Sequence, residues 1–188
     1  MHLRSIARTM ITLILGGARS GKSRHAEKLA AASQNPVLYI ATATASDAEM
    51  AARIAHHQQQ RPTTWQVQEC PLNLVDTLAS EAQKKQTILV DCLTLWLNNQ
   101  LFHFPAQNFS ELFDALAKKL ESAHADIILV ANEVGLGIIP LGEISRTFVD
   151  EAGRLNQRIA QVADKVLFVA AGLPLCLKDV AEQQEAAQ

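Results

Sequence analysis

The chain has 188 residues, 48% of them hydrophobic and 19% charged, with a formal net charge of −2. Those totals give enough apolar side chains for one domain-sized core and exclude a disordered segment. They offer no electrostatic ground for gripping nucleic acid or an anionic membrane, and no apolar run approaches the ~20 residues that cross a bilayer.

Read from the start, residues 1–9 form an extension, with Met10 as an alternative first residue. Arginines, an apolar run and small residues follow in the order of a secretion signal. The apolar core from Met10 to Leu15 is too short for one, however, and Thr12 interrupts it. What comes next decides the matter. Gly16, Gly17, Ala18, Arg19, Ser20, Gly21, Lys22 and Ser23 fit G-x-x-x-x-G-K-[ST] at every fixed position. They stand between the strand-like run ITLIL and the helix-like KSRHAEKLAAAS, where such a loop turns backbone N–H groups towards phosphate. Lys22 then reaches the β- and γ-phosphates, and the Ser23 hydroxyl faces Mg²⁺.

Further along, near-continuous apolar runs predict strands at 37–41, 87–91, 126–131 and 165–171, each covered on both faces. TWQVQE, residues 64–69, predicts a short extra strand. Helices are expected near 22–33, 46–60, 72–85, 93–101, 109–124 and 145–163. In the last of these, Phe148, Ala152, Leu155, Ile159 and Val162 make one apolar stripe. Alternating strands and helices predict an α/β fold: a single P-loop domain, residues 10–188, with a mainly parallel sheet between helices. The tail AEQQEAAQ reads as frayed. Cys70, Cys92 and Cys176 are far apart with no C-x-x-C; they predict three small buried residues in a reducing, cytoplasmic setting, with no disulfide framework or zinc site.

A phosphate loop needs an acid opposite it to support the metal. Asp91 ends the run TILVD and is the preferred residue; Glu133, two residues beyond DIILVA, is its rival. No N-K-x-D motif specifies guanine. In a helix over 46–60, His57 shares a stripe with Met50 and Ile54, while His56 sides with Glu49 and Arg53. His57 is thus either a packed, hydrogen-bonded residue or a nucleophile towards phosphorus, with Arg61 four residues on to balance charge.

The segments GGARSGKSRHAE, VLYIATA, DAEMAARIAHHQQQRP, ILVDCLTLWLNN, ILVANEVGLGIIP and RTFVDEAGRLNQRIAQVADKV together resemble the bifunctional adenosylcobinamide kinase and adenosylcobinamide-phosphate guanylyltransferase family of cobalamin biosynthesis. The resemblance runs from about Leu13 to Gly172. It implies two reactions: phosphorylation of the cobinamide hydroxyl by ATP or GTP, then transfer of GMP from GTP through a histidine to the new phosphate. It places GMP on His57, which heads H-x-x-x-R-P together with Arg61 and Pro62. It also places GTP contacts on the phosphate loop, on Ala41, Thr42 and Ala43, on Gln58, Gln59, Gln60 and Arg61, and on Glu69 and Asp91. Residues 58–60 are all glutamine, so only their backbone can replace a basic contact there. The resemblance further implies a homo-oligomer, a trimer, and a large, partly apolar corrinoid substrate. The long Gly- and Pro-containing connection over 132–146 is expected to line the active site. Two rivals stand beside it: a simple P-loop kinase with a structural His57, and a nucleotide-dependent switch protein.

Overall fold

The structure, a computed structural model, describes residues 9–44 and 62–181. Seven strands make one sheet: β1 (Ile11–Gly16), β2 (Val37–Ala41), β3 (Gln66–Glu69), β4 (Thr87–Asp91), β5 (Asp126–Asn132), β6 (Lys165–Ala170) and β7 (Leu173–Asp179). Five helices are described: α1 (Lys22–Ala32), α2 (Leu74–Glu81), α3 (Leu93–His103), α4 (Phe109–Glu121) and α5 (Glu143–Val162). The predicted strands and these helices appear with ends shifted by a few residues. The expected helix over 46–60 and most of the tail lie outside the described residues.

The strand order is β3-β2-β4-β5-β1-β6-β7, parallel throughout except for β7, which runs antiparallel to β6. Every residue of β1 is buried, as are the central residues of β4 and β5, because helices cover both faces there. The two faces carry different cores. Leu13, Ile88, Val90 and Leu129 pack with Leu78, Trp96, Leu116 and Leu155 from α2 to α5. Ile14, Tyr39, Leu89 and Val130 pack on the other face with Ala26 and Ala30 of α1. Two alanines let α1 sit close to the sheet, which keeps the turn at its start against the ends of β1 and β4. The stripe expected on α5 is the one that packs, with Ala152, Leu155 and Ile159 buried and Phe148 and Val162 against the same core.

One strand was not expected, and one cysteine expectation needs correcting. The sheet has an extra antiparallel strand, β7, made by a tight hairpin in which Ala171 and Gly172 both have positive φ, 52° and 80°. Such a turn ordinarily announces itself with Asn-Gly or Asp-Gly, and Pro174 argues against a strand except at an edge, which is where β7 lies. On that edge Cys176 is exposed, whereas Cys70 and Cys92 are buried as expected.

Candidate active site

Strand β1 delivers the chain into the turn from Gly16 to Gly21, and α1 leaves it at Lys22. No side chain fits at Gly16: a Cβ there would meet the Val169 carbonyl oxygen at 2.4 Å and Ser20 Oγ at 2.6 Å. Gly21 takes φ 96°, a left-handed conformation that glycine adopts without penalty, and a Cβ there would lie 3.1 Å from Gly172 Cα. The hairpin before β7 braces the turn, since Gly172 N–H donates to the Ser20 carbonyl at 2.8 Å. Ser20 Oγ is buried with no hydrogen-bond partner among the described residues.

Lys22 is buried, and its Nζ folds back to donate to the Gly17 carbonyl at 3.2 Å. Burial lowers its pKa from the ordinary lysine value, an effect opposed first by Cys92 and then by Asp91.

Asp91 ends β4, and α1 brings Ser23 to it: Ser23 Oγ donates to Asp91 Oδ1 at 3.5 Å. The other oxygen, Oδ2, accepts from the Tyr39 hydroxyl at 3.0 Å. The rival acid, Glu133, faces elsewhere, its Oε1 accepting from Gly135 N–H at 2.7 Å within its own loop. Its backbone does reach the site, since Glu133 N–H donates to the Gly16 carbonyl at 3.1 Å.

The neighbouring turn is locked by a polar clamp that sequence reasoning missed. Thr42 is fully buried; its Oγ1 donates to the Cys92 carbonyl at 2.7 Å and accepts from Cys92 N–H at 2.8 Å. Asn99 of α3 donates to the Thr42 carbonyl at 2.9 Å and to that of Pro71 at 3.1 Å. So the Thr42 hydroxyl is occupied by the Cys92 backbone. The Cys92 thiol at this clamp is pushed up to about 11, by burial and then by the adjacent Asp91 charge, so it stays protonated and unreactive at neutral pH. Glu69 ends β3 and is exposed, its backbone paired with Ala41 of β2. Four strand spacings separate β3 from β1, about 19 Å at ~4.8 Å each.

The structure thus brings Gly16–Ser23 and Asp91 together, and sets Ala41–Ala43 and Glu69 along the same carboxyl edge of the sheet. His56, His57, Gln58, Gln59, Gln60 and Arg61 lie outside the described residues. Tyr39 was also missed. A lone tyrosine in the run VLYIA reads as core, and only the strand register, Ala41 opposite Asp91 and Tyr39 opposite Leu89, makes it a diagonal neighbour of the acid.

The sequence profile described as cobinamide kinase / cobinamide phosphate guanyltransferase matches residues 12–177. The chain belongs to that family. Its similarity to curated members extends over nearly whole chains. It is 54% identical over 169 residues to the bifunctional adenosylcobalamin biosynthesis protein CobP of Pseudomonas aeruginosa, covering 90% of this chain and 98% of that one. It is 40% identical to the corresponding protein CobU of Salmonella typhimurium, covering 90% of this chain and all of that one. Among solved structures, a Pyrococcus horikoshii protein shares the fold with a TM-score of 0.58 at 10% identity, over 93% of this chain and 88% of that one. A type III secretion ATPase matches 93% of this chain and 54% of its own length with a TM-score of 0.54, also at 10% identity. These two speak to fold alone. As a member of the cobinamide kinase / guanyltransferase family the chain is a transferase.

Proposed function

We propose that this chain is a single-domain P-loop enzyme that phosphorylates adenosylcobinamide and then converts adenosylcobinamide phosphate to adenosylcobinamide-GDP. The observation that carries the reading is the meeting of Ser23 and Asp91 at 3.5 Å beside the buried Lys22, at the mouth of the Gly16–Gly21 turn.

In the kinase step the N–H groups of residues 17–22 and the Lys22 ammonium hold the triphosphate of ATP or GTP. The cobinamide hydroxyl oxygen attacks the γ-phosphorus, the bond to the β–γ bridging oxygen breaks, and the hydroxyl proton leaves to solvent or base. Charge gathers on the transferred group and on the nucleotide diphosphate, where Lys22 and the start of α1 oppose it. Ser23 and Asp91 are hard oxygen donors, too few to cage an ion alone, which suits Mg²⁺ that keeps waters and phosphate oxygens. Bound there, the ion would neutralise phosphate charge.

For the second step the residues read from the sequence are His57 and Arg61. An imidazole nitrogen of His57 attacks the α-phosphorus of GTP, pyrophosphate leaves, and a phosphate oxygen of the cobinamide phosphate then displaces the imidazole. Ala41–Ala43 and Glu69 serve this half of the edge as nucleotide contacts, with Gln58, Gln59 and Gln60 contributing backbone. A homo-oligomer and a cytoplasmic setting go with this reading.

The test is incubation of the purified protein with cobinamide and nucleotide carrying labelled γ-phosphate. Labelled cobinamide phosphate supports the reading. Hydrolysis without transfer favours the switch protein instead, and sinks it.

A further inference from the structure

The segment between β5 and α5, together with the first turn of α5, carries five large apolar side chains facing water. Leu136, Ile138, Ile139, Leu141 and Ile144 are between 72% and 99% exposed. Single exposed leucines need no explanation, but five within nine residues form a patch of the kind that marks a binding surface. The segment is also pinned rather than slack. Glu133 Oε1 holds Gly135 N–H at its start, and Arg146 Nη1 donates to the carbonyls of Pro140 and Leu141 at its end. Beneath it lies a cavity of about 260 Å³, lined in part by Val134, Arg146, Val149 and Asp150.

Its position selects the occupant. β5 stands between β4, which ends in Asp91, and β1, which ends in the phosphate turn. The segment therefore leaves the sheet at the centre of the site, one hydrogen bond from Gly16. It then crosses to α5, on the sheet face opposite α1. A cobinamide presents its reacting hydroxyl on a short arm, and its macrocycle, apolar across its faces and fringed with amides, must rest on protein beside the transferred phosphate. The other exposed apolar row, Leu173, Leu175 and Leu177, lies on the edge strand β7, four strands from the one bearing Asp91.

We propose that the apolar ledge from Leu136 to Ile144 seats the corrin ring, with peripheral amide arms entering the cavity beside Arg146 and Asp150. This rests on the cobinamide kinase reading above. Apolar area on the ledge supplies affinity, the pinned backbone limits the ordering cost of binding, and Arg146 and Asp150 offer a donor and an acceptor to amides.

The test compares the full-length protein with the double variant Ile138→Ser/Leu141→Ser, with Leu175→Ser as control. Dicyanocobinamide binding is followed by equilibrium dialysis and visible absorbance, GTP binding by fluorescence of a labelled analogue, and assembly by light scattering. The expected result is a Kd and KM for cobinamide raised roughly tenfold or more in the double variant. GTP affinity and particle mass stay unchanged, and Leu175→Ser matches wild type. The single variants Ile138→Ala and Ile138→Ser order the loss by apolar area removed. Unchanged cobinamide affinity in the double variant overturns the proposal. So does a change in particle mass, which would make the ledge a contact between copies. Wild-type protein that binds GTP but neither binds nor phosphorylates cobinamide would overturn the functional reading itself, and the ledge proposal with it.

Discussion

The Tyr39 hydroxyl donates to Asp91 Oδ2 at 3.0 Å while the Ser23 hydroxyl donates to Oδ1 at 3.5 Å. One carboxylate is thus divided between a support buried in the sheet and a group at the mouth of the site. Tyr39→Phe removes the hydroxyl that gives this support. It is expected to cost about 1 kcal/mol of stability, as for a single hydrogen bond. It should also raise several-fold the Mg²⁺ concentration needed for half-maximal kinase rate, because the carboxylate is no longer held in one orientation. Denaturant titration and a Mg²⁺ series measure the two effects separately.

Asp91→Asn keeps the shape and hydrogen-bonding capacity but removes the charge. Phosphoryl transfer should fall by about 100-fold or more, as when one preorganised electrostatic contact is lost. Nucleotide affinity measured without Mg²⁺ should change little. Steady-state kinetics together with nucleotide binding in chelator check both.

Lys22→Met should abolish transfer yet leave the nucleotide-free protein at least as stable as wild type. Burial lowers the pKa of Lys22, so below the lowered value the folded protein carries a charge it has poorly solvated. Between that value and the ordinary one, the unfolded chain binds the proton and the folded one does not, so wild-type stability rises with pH. The stability advantage of Lys22→Met should therefore shrink as pH rises through that window. Thermal melts from neutral to alkaline pH test the sign.

Adjacent glycines should behave oppositely. Gly16→Ala drives a Cβ to 2.4 Å from the Val169 carbonyl oxygen, whereas a Cβ on Gly17 meets nothing within 4 Å. Gly16→Ala is expected to destabilise by roughly 2 kcal/mol or more, and Gly17→Ala by less than about 0.5 kcal/mol. Chemical denaturation of the pair decides it.

Thiol chemistry should separate the cysteines. With Cys92 pushed up to about 11, roughly one thousandth is thiolate at pH 8. Iodoacetamide on folded protein should label the exposed Cys176 and leave Cys92 and Cys70 intact until denaturant is added, as read by peptide mass spectrometry.

The parallel strands were legible because burial on both faces leaves near-continuous apolar runs, and the Gly16–Gly21 turn because its glycines and Lys22-Ser23 stand at fixed spacing between strand and helix. The short edge strand β3 was legible from WQVQE even though its residues are mostly exposed. β7 was not, because Ala171 occupies a positive-φ turn position that other residues usually signal. The cross-strand roles of Tyr39 and Thr42 were not legible for a related reason. Their hydroxyls act across strands, on Asp91 and Cys92, and pairing between distant strands leaves no local pattern.

The central claim, that one protein both phosphorylates and guanylylates cobinamide through His57, is tested most directly by GTP labelled at the α-phosphorus. Wild type, His57→Ala and His56→Ala are compared after denaturation. The prediction is label that stays on wild type and His56→Ala, survives alkali, is released by acid as expected of a phosphoramidate, and is absent from His57→Ala. Label lost only in His56→Ala would move the nucleophile by one residue. No label on any of the three, with γ-phosphate still passing to cobinamide, would contradict the claim and leave a simple kinase.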